Sequence, residues 1–114
     1  PTWPEVELHP WVQSKIQFDH NFSLAARGAR PNWPDVVQAI RCPTLLITAD
    51  PARGAIVTPA SAQQAVALNP LIRVAQIPDA GHSIRRENYI DYMAAVKEFL
   101  REVRAKHPAL LPEF

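Results

Sequence analysis

The sequence predicts an α/β protein with two parallel strands and flanking helices. Three observations carry this. Thr44-Leu45-Leu46-Ile47-Thr48 and Ile72-Arg73-Val74-Ala75-Gln76-Ile77 are short β-favouring runs, each closed by a proline or by Asp-Pro. A helix pattern fills the interval between them and another follows the second. A strand–helix–strand crossover of this length joins parallel strands.

In chain order, Pro1, Pro4 and Pro10 argue against a continuous helix over residues 1–10. Residues 10–27 read as helical with an aromatic-rich face, and His20-Asn21-Phe22-Ser23 is a point of interruption. Gly28, Pro31 and Pro34 mark a break. Asn32 is placed to cap a short helix with Trp33 and Pro34 in its first turn, Val36, Val37 and Ile40 inward, and Pro43 at its end. The first strand, apolar on both faces, is that of a buried parallel strand. Asp50-Pro51 stops it, and a loop runs through Val57. Thr58-Pro59 starts the next helix, a hydroxyl cap followed by proline, which carries Ala62, Ala65, Val66 and Leu68 and stops near Asn69-Pro70. After the second strand comes the turn Asp79-Ala80-Gly81-His82-Ser83. From Glu87 an amphipathic helix places Tyr89, Met93, Val96, Leu100 and Val103 on one face. Met93 there is core filler. The segment from His107 reads as a frayed tail.

Composition bounds the function. A chain of 114 residues is one domain at most, and its net charge of +1 gives no field for nucleic acid or an anionic membrane. The one cysteine, Cys42, excludes an intrachain disulfide and reads as a small buried hydrophobe. No zinc spacing, signal peptide or membrane-length apolar run is present, so the expected compartment is the cytoplasm. Twelve prolines stand against three glycines, and the chain starts at Pro1 rather than Met, which reads as a truncated or processed product. Two strands do not make a stable α/β domain alone, so more sheet is expected from outside these residues, or from self-association through exposed strand edges.

Asp50 and His82 are the pair with chemical content. Both follow strands, and in a parallel sheet both turns lie at the same edge, where open α/β sheets place their sites. A carboxylate that orients an imidazole, which then takes a proton from a nucleophile, is the chemistry such a pair performs. Gly81 is expected to let the backbone turn sharply before the ring. The plain alternatives are that Asp50 caps its own turn and that His82 is a turn histidine bonded to backbone. His9, His20 and His107 read as local surface residues. Asp79 reads as stabilising its turn, Arg85-Arg86-Glu87 as a solvated helix start or an anion site, and Ser61 and Ser83 as non-nucleophilic.

Cys42-Pro43-Thr44-Leu45-Leu46-Ile47-Thr48-Ala49-Asp50, then Ile56-Val57-Thr58-Pro59, then Ile77-Pro78-Asp79-Ala80-Gly81-His82-Ser83, resembles the end of an α/β-hydrolase. The resemblance covers roughly residues 36–104. It implies a C-terminal fragment of that fold: residues 1–34 a remnant of the cap region, 35–106 the C-terminal part of the core, and 107–114 a tail. Trp3, Trp11 and Trp33 would then line an acyl pocket or simply pack. The implied activity of the complete protein is hydrolysis of an ester or related bond in a small-molecule substrate, with His82 as the triad histidine, Asp50 as its acid, and no cofactor or metal. An epoxide hydrolase, dehalogenase or haloperoxidase type is the alternative within the superfamily. The chain departs from the pattern twice. Ala49 stands where glycine is usual, which places Ala52 rather than Asp50 at the usual acid position, although Asp50 is the loop's one carboxylate. The Gly-x-Ser-x-Gly nucleophile elbow is absent, so the chain by itself is expected to be inactive.

Overall fold

The computed structural model describes residues 3–19, 21 and 31–108. Helix α1 (Glu5–Ile16) is followed by α2 (Trp33–Ala39), β1 (Thr44–Thr48), a 3-10 turn (Pro51–Arg53), α3 (Pro59–Leu68), β2 (Ile72–Gln76), the single-turn α4 (Ile84–Glu87) and α5 (Tyr89–Lys106). The strands pair in parallel, Thr44 opposite Ile72 through Thr48 opposite Gln76. The chain is therefore mixed α/β with two parallel strands and flanking helices.

Strand pleating sorts the layers. Leu46 and Val74 project to one face, where Leu46 and the α3 residue Ala65 border one cavity and Val74 and Ala62 another. Trp33 and Val37 bring α2 to the same face. Ile47 and Arg73 project to the other. Ile47 packs in the cluster that Ala95 of α5 joins, and Arg73 forms ion pairs with Glu98 and Glu102. The best-packed part of the chain is small: Ala49, Ile77 and Ala80 are each at most 3% exposed, with Ile47, Ala55, Ile84 and Ala95 against them. This cluster lies where the strands end, directly under the two turns that carry Asp50 and His82.

Local chemistry explains most element boundaries. Thr58 Oγ1 accepts from Ser61 N at 3.2 Å and Pro59 occupies the first helical position of α3, as its sequence predicts. That helix stops at Asn69, whose buried side chain does more than end it. Asn69 Nδ2 donates to the carbonyls of Val37 (2.8 Å) and Ile40 (3.0 Å), and Oδ1 accepts from Leu71 N (2.9 Å). One amide thus ties the end of α2 to the turn that starts β2.

Several expectations are corrected. Helix α1 begins at Glu5 and runs through Pro10. Pro10 and Val6 are solvent-exposed, so the carbonyl that loses its Pro10 partner faces water. Glu5 and Glu7 in the first turn and Lys15 in the last complement the helix dipole. The part of the expected 10–27 helix at His20 and at 22–27 lies outside the described residues, as does the tail from 109. Asn32 occupies the cap position of α2, but its side chain donates to Asp35 instead of accepting from the helix backbone. That helix ends at Ala39, and Val36 is exposed. Cys42 is exposed, not buried, because it lies before the strand and outside the packed layers. The C-terminal helical region breaks at Asn88, which leaves α4 as a separate turn and caps α5 through Asp91 N. The inward face of α5 carries Tyr92, Met93, Val96, Phe99 and Val103, while Tyr89 and Leu100 are exposed. The stripe is rotated by part of a turn because Arg73, not an apolar residue, meets the helix at Glu98 and Glu102.

Candidate active site

The two turns meet at the C-terminal edge of the sheet. Pairing continues one step past the strands, with Ile77 N donating to Thr48 O at 2.8 Å and Asp50 N to Ala80 O at 2.9 Å. Gly81 then lies flat against the other turn. A Cβ built on it would stand 2.0 Å from the carbonyl oxygen of Arg53 and 2.8 Å from its carbon. The reason for glycine is therefore close approach rather than a special backbone angle, since the positive-φ glycine among the described residues is Gly54, at 94°. That angle closes the 3-10 turn after Arg53.

The turn bearing His82 is held from both sides. Glu87 accepts a hydrogen bond from Gly81 N through Oε2, and Asn88 Nδ2 donates to Pro78 O at 2.9 Å. Asp79 takes φ 54°, a conformation Asp tolerates better than most residues. Its carboxylate accepts from Arg53 Nη2 at 3.2 Å, which bridges the two turns a second time. His82 itself is exposed and borders a cavity of about 190 Å3 with Thr48, Ala49, Ala55, Val57 and Ile84.

Asp50 lies one residue from this floor, but its carboxylate is engaged locally. Oδ1 accepts from Ala52 N at 2.9 Å, capping the 3-10 turn, and Oδ2 lies 3.9 Å from Arg53 Nε. No hydrogen bond joins Asp50 to His82 among the described residues. The backbones of the expected pair are thus brought together while their side chains are not. Asp50 and Pro51 perform the capping that their sequence suggests on its own. Ser61 is half-buried in the first turn of α3, where its N–H is accepted by the N-cap Thr58 and its hydroxyl lies 3.0 Å from the Thr58 hydroxyl. His9 and His107 are exposed, and His20 is outside the described residues. No group of three His, Cys, Asp or Glu residues placed to hold a metal occurs among the described residues, and none of their helices is long and apolar enough to cross a membrane.

Arg53 and Asn88 are the site residues that the sequence does not single out, because each acts on a group 26 or 10 positions away. Glu87, read from sequence as part of a solvated helix start or an anion site, instead holds the Gly81 backbone. The tryptophans divide: Trp3 and Trp11 meet edge to face at 5.5 Å, and Trp33 borders a separate cavity with Val37 and Leu46. Compared with protein-family models, with curated proteins and with solved structures, the chain gives no match.

Proposed function

We propose that this chain is the acid- and histidine-bearing C-terminal part of an α/β-hydrolase, whose complete form cleaves an ester or related bond in a small-molecule substrate. The observation that carries the reading is the locking of the Asp50 and His82 turns onto one sheet edge, through the Asp50–Ala80 hydrogen bond and the Gly81–Arg53 contact. In that reading His82 takes the proton of a serine and returns it to the leaving group. Asp50 rotates from Ala52 N toward the imidazole and fixes its tautomer. The Asp50 side chain is 45% exposed, which leaves room for that rotation. The serine and the oxyanion donors come from outside these 114 residues, and no cofactor takes part. A cytoplasmic setting suits an exposed free Cys42, which a reducing compartment keeps as a thiol.

The test is the reading frame upstream of Pro1 and the activity of its full product. A Gly-x-Ser-x-Gly elbow is expected there, with p-nitrophenyl ester turnover that His82→Ala lowers by at least about 10³-fold. An Asp at that elbow points to the epoxide or haloalkane branch, and a frame without any elbow refutes the proposal. The 114-residue chain assayed alone is expected to show no His82-dependent turnover.

The open sheet favours a second reading, a non-catalytic chain that self-associates. Among the described residues each of the two strands has one neighbour and one free edge, and such edges pair with another chain when nothing covers them. Size-exclusion chromatography decides this: a folded monomer at high micromolar concentration sinks it.

A further inference from the structure

Arg85 and Arg86 are consecutive residues on α4, and both reach a single carboxylate. Arg85 Nη1 donates to Glu7 Oε1 at 2.7 Å, and Arg86 Nε donates to Glu7 Oε2 at 3.0 Å, so each oxygen has its own guanidinium. The Trp3 ring covers the Arg86 guanidinium at 4.6 Å. Two adjacent guanidinium groups repel each other unless an anion lies between them, and here one charge-assisted N–H···O bond from each arginine satisfies each oxygen of the carboxylate. The turn that presents them is held before any anion arrives. Arg86 N donates to Ser83 O, the Glu87 carboxylate accepts from Gly81 N, Asn88 Nδ2 donates to Pro78 O, and Ile84 packs on the core. Glu7, by contrast, belongs to a helix with no buried residue. Val6 on that helix is 81% exposed and Ile16 is 71% exposed. The Glu7 carboxylate of α1 and the Trp3 ring just before it thus both engage the α4 arginines.

We propose that Arg85 and Arg86 form a binding site for the carboxylate of a small organic acid, filled in this structure by the chain's own Glu7. An acid that enters the site displaces Glu7 and frees Trp3 from Arg86. The proposal does not depend on the hydrolase reading, since it needs only the α4 arginines. A tethered carboxylate competes at an effective concentration in the millimolar range, so removing it exposes the site.

The experiment titrates succinate into the whole chain and into its Glu7→Gln and Glu7→Ala variants. It follows the Nε–H resonances of Arg85 and Arg86 and the indole resonance of Trp3 by NMR. Dimethyl succinate and sodium chloride at matched ionic strength serve as controls, and circular dichroism checks the fold of each variant. Saturable shifts are expected in both variants with an apparent Kd at least fivefold lower than in the unaltered chain, and Arg85→Gln with Arg86→Gln should abolish them. In the unaltered chain the Trp3 resonance should move toward its released position as succinate binds. Absent or non-saturable shifts in the variants, equal affinity with and without Glu7, or the same response to the diester or to chloride would overturn the proposal. Using two Glu7 variants keeps a folding defect in one from deciding the result.

Discussion

Replacing Gly81 by alanine is expected to cost about 1–3.5 kcal/mol, centred near 2, and the figure can be built from the site. The new Cβ would lie 2.0 Å from Arg53 O and 2.8 Å from Arg53 C, both backbone atoms. No side chain can swing away to relieve the clash, so one turn must move off the other. Overpacking of this kind costs about 1–3 kcal/mol. Separating the turns also strains the Asp50 N to Ala80 O hydrogen bond, worth about 1 kcal/mol. The lower conformational entropy of the unfolded alanine variant returns roughly 0.4–1 kcal/mol. For a chain of this size the net change lowers Tm by roughly 5–20 °C. Gly54→Ala supplies the control, because nothing lies within 4 Å of its added Cβ and the cost comes from φ 94° alone. That backbone penalty of about 1–2 kcal/mol, less the same entropic return, leaves about 1 kcal/mol. Thermal unfolding followed by circular dichroism measures both variants. A Gly81→Ala variant no less stable than Gly54→Ala would mean that the Arg53 carbonyl does not demand glycine at position 81.

Further outcomes follow from the same contacts. Asn69→Ala removes two donors and one acceptor from a buried site and should cost about 2–3 kcal/mol in chemical denaturation, whereas Gln63→Ala on the exposed face of α3 should stay within about 0.5 kcal/mol. The Arg85 and Arg86 guanidiniums hold the Glu7 carboxyl below its usual range. A carboxylate lowered in the folded state stabilises at pH above its unfolded value and loses that contribution as pH falls through the lowered one. Docking of α1 should therefore persist at neutral pH and fail only in acid below the ordinary carboxylate range, with the Trp3 indole NMR resonance as the readout; release already at pH 6 contradicts the assignment. Asp79→Val should cost about 1–2 kcal/mol through φ 54°, while Asp79→Gly should stay within about 0.5 kcal/mol because the Arg53 ion pair it loses is exposed. Comparing the two melting curves separates backbone strain from charge.

Much of the frame was readable in one dimension because it depends on neighbours in the chain. The Thr44–Thr48 strand, the Thr58-Pro59 start and the Asn69 stop of α3 are local events, and the parallel pairing follows from crossover length. The fold class of two parallel strands with flanking helices needed nothing more. The start of α1 at Glu5, ahead of the expected helix from residue 10, escaped because Pro1, Pro4 and Pro10 weigh against a helix there, whereas Pro10 sits on an exposed helix where the carbonyl it leaves without a donor meets water. The break at Asn88 escaped because helical periodicity averages over a single residue that bonds elsewhere, here to Pro78.

The candidate site divides along the same line. Sequence alone determined that Asp50 and His82 follow parallel strands, and hence that both lie at one edge of the sheet. It also established that a Gly-x-Ser-x-Gly elbow is not among these residues. Tertiary structure decided how near the two turns come and what holds them there. Gly81 is required by the Arg53 carbonyl, Glu87 and Asn88 fasten the histidine turn, and Glu7 bridges two arginines 78 and 79 positions away. It also decided that the Asp50 carboxylate serves Ala52 N rather than the imidazole. Direction along a strand is a property of the local backbone, whereas the partner of a side chain depends on which distant atoms packing brings within 3 Å.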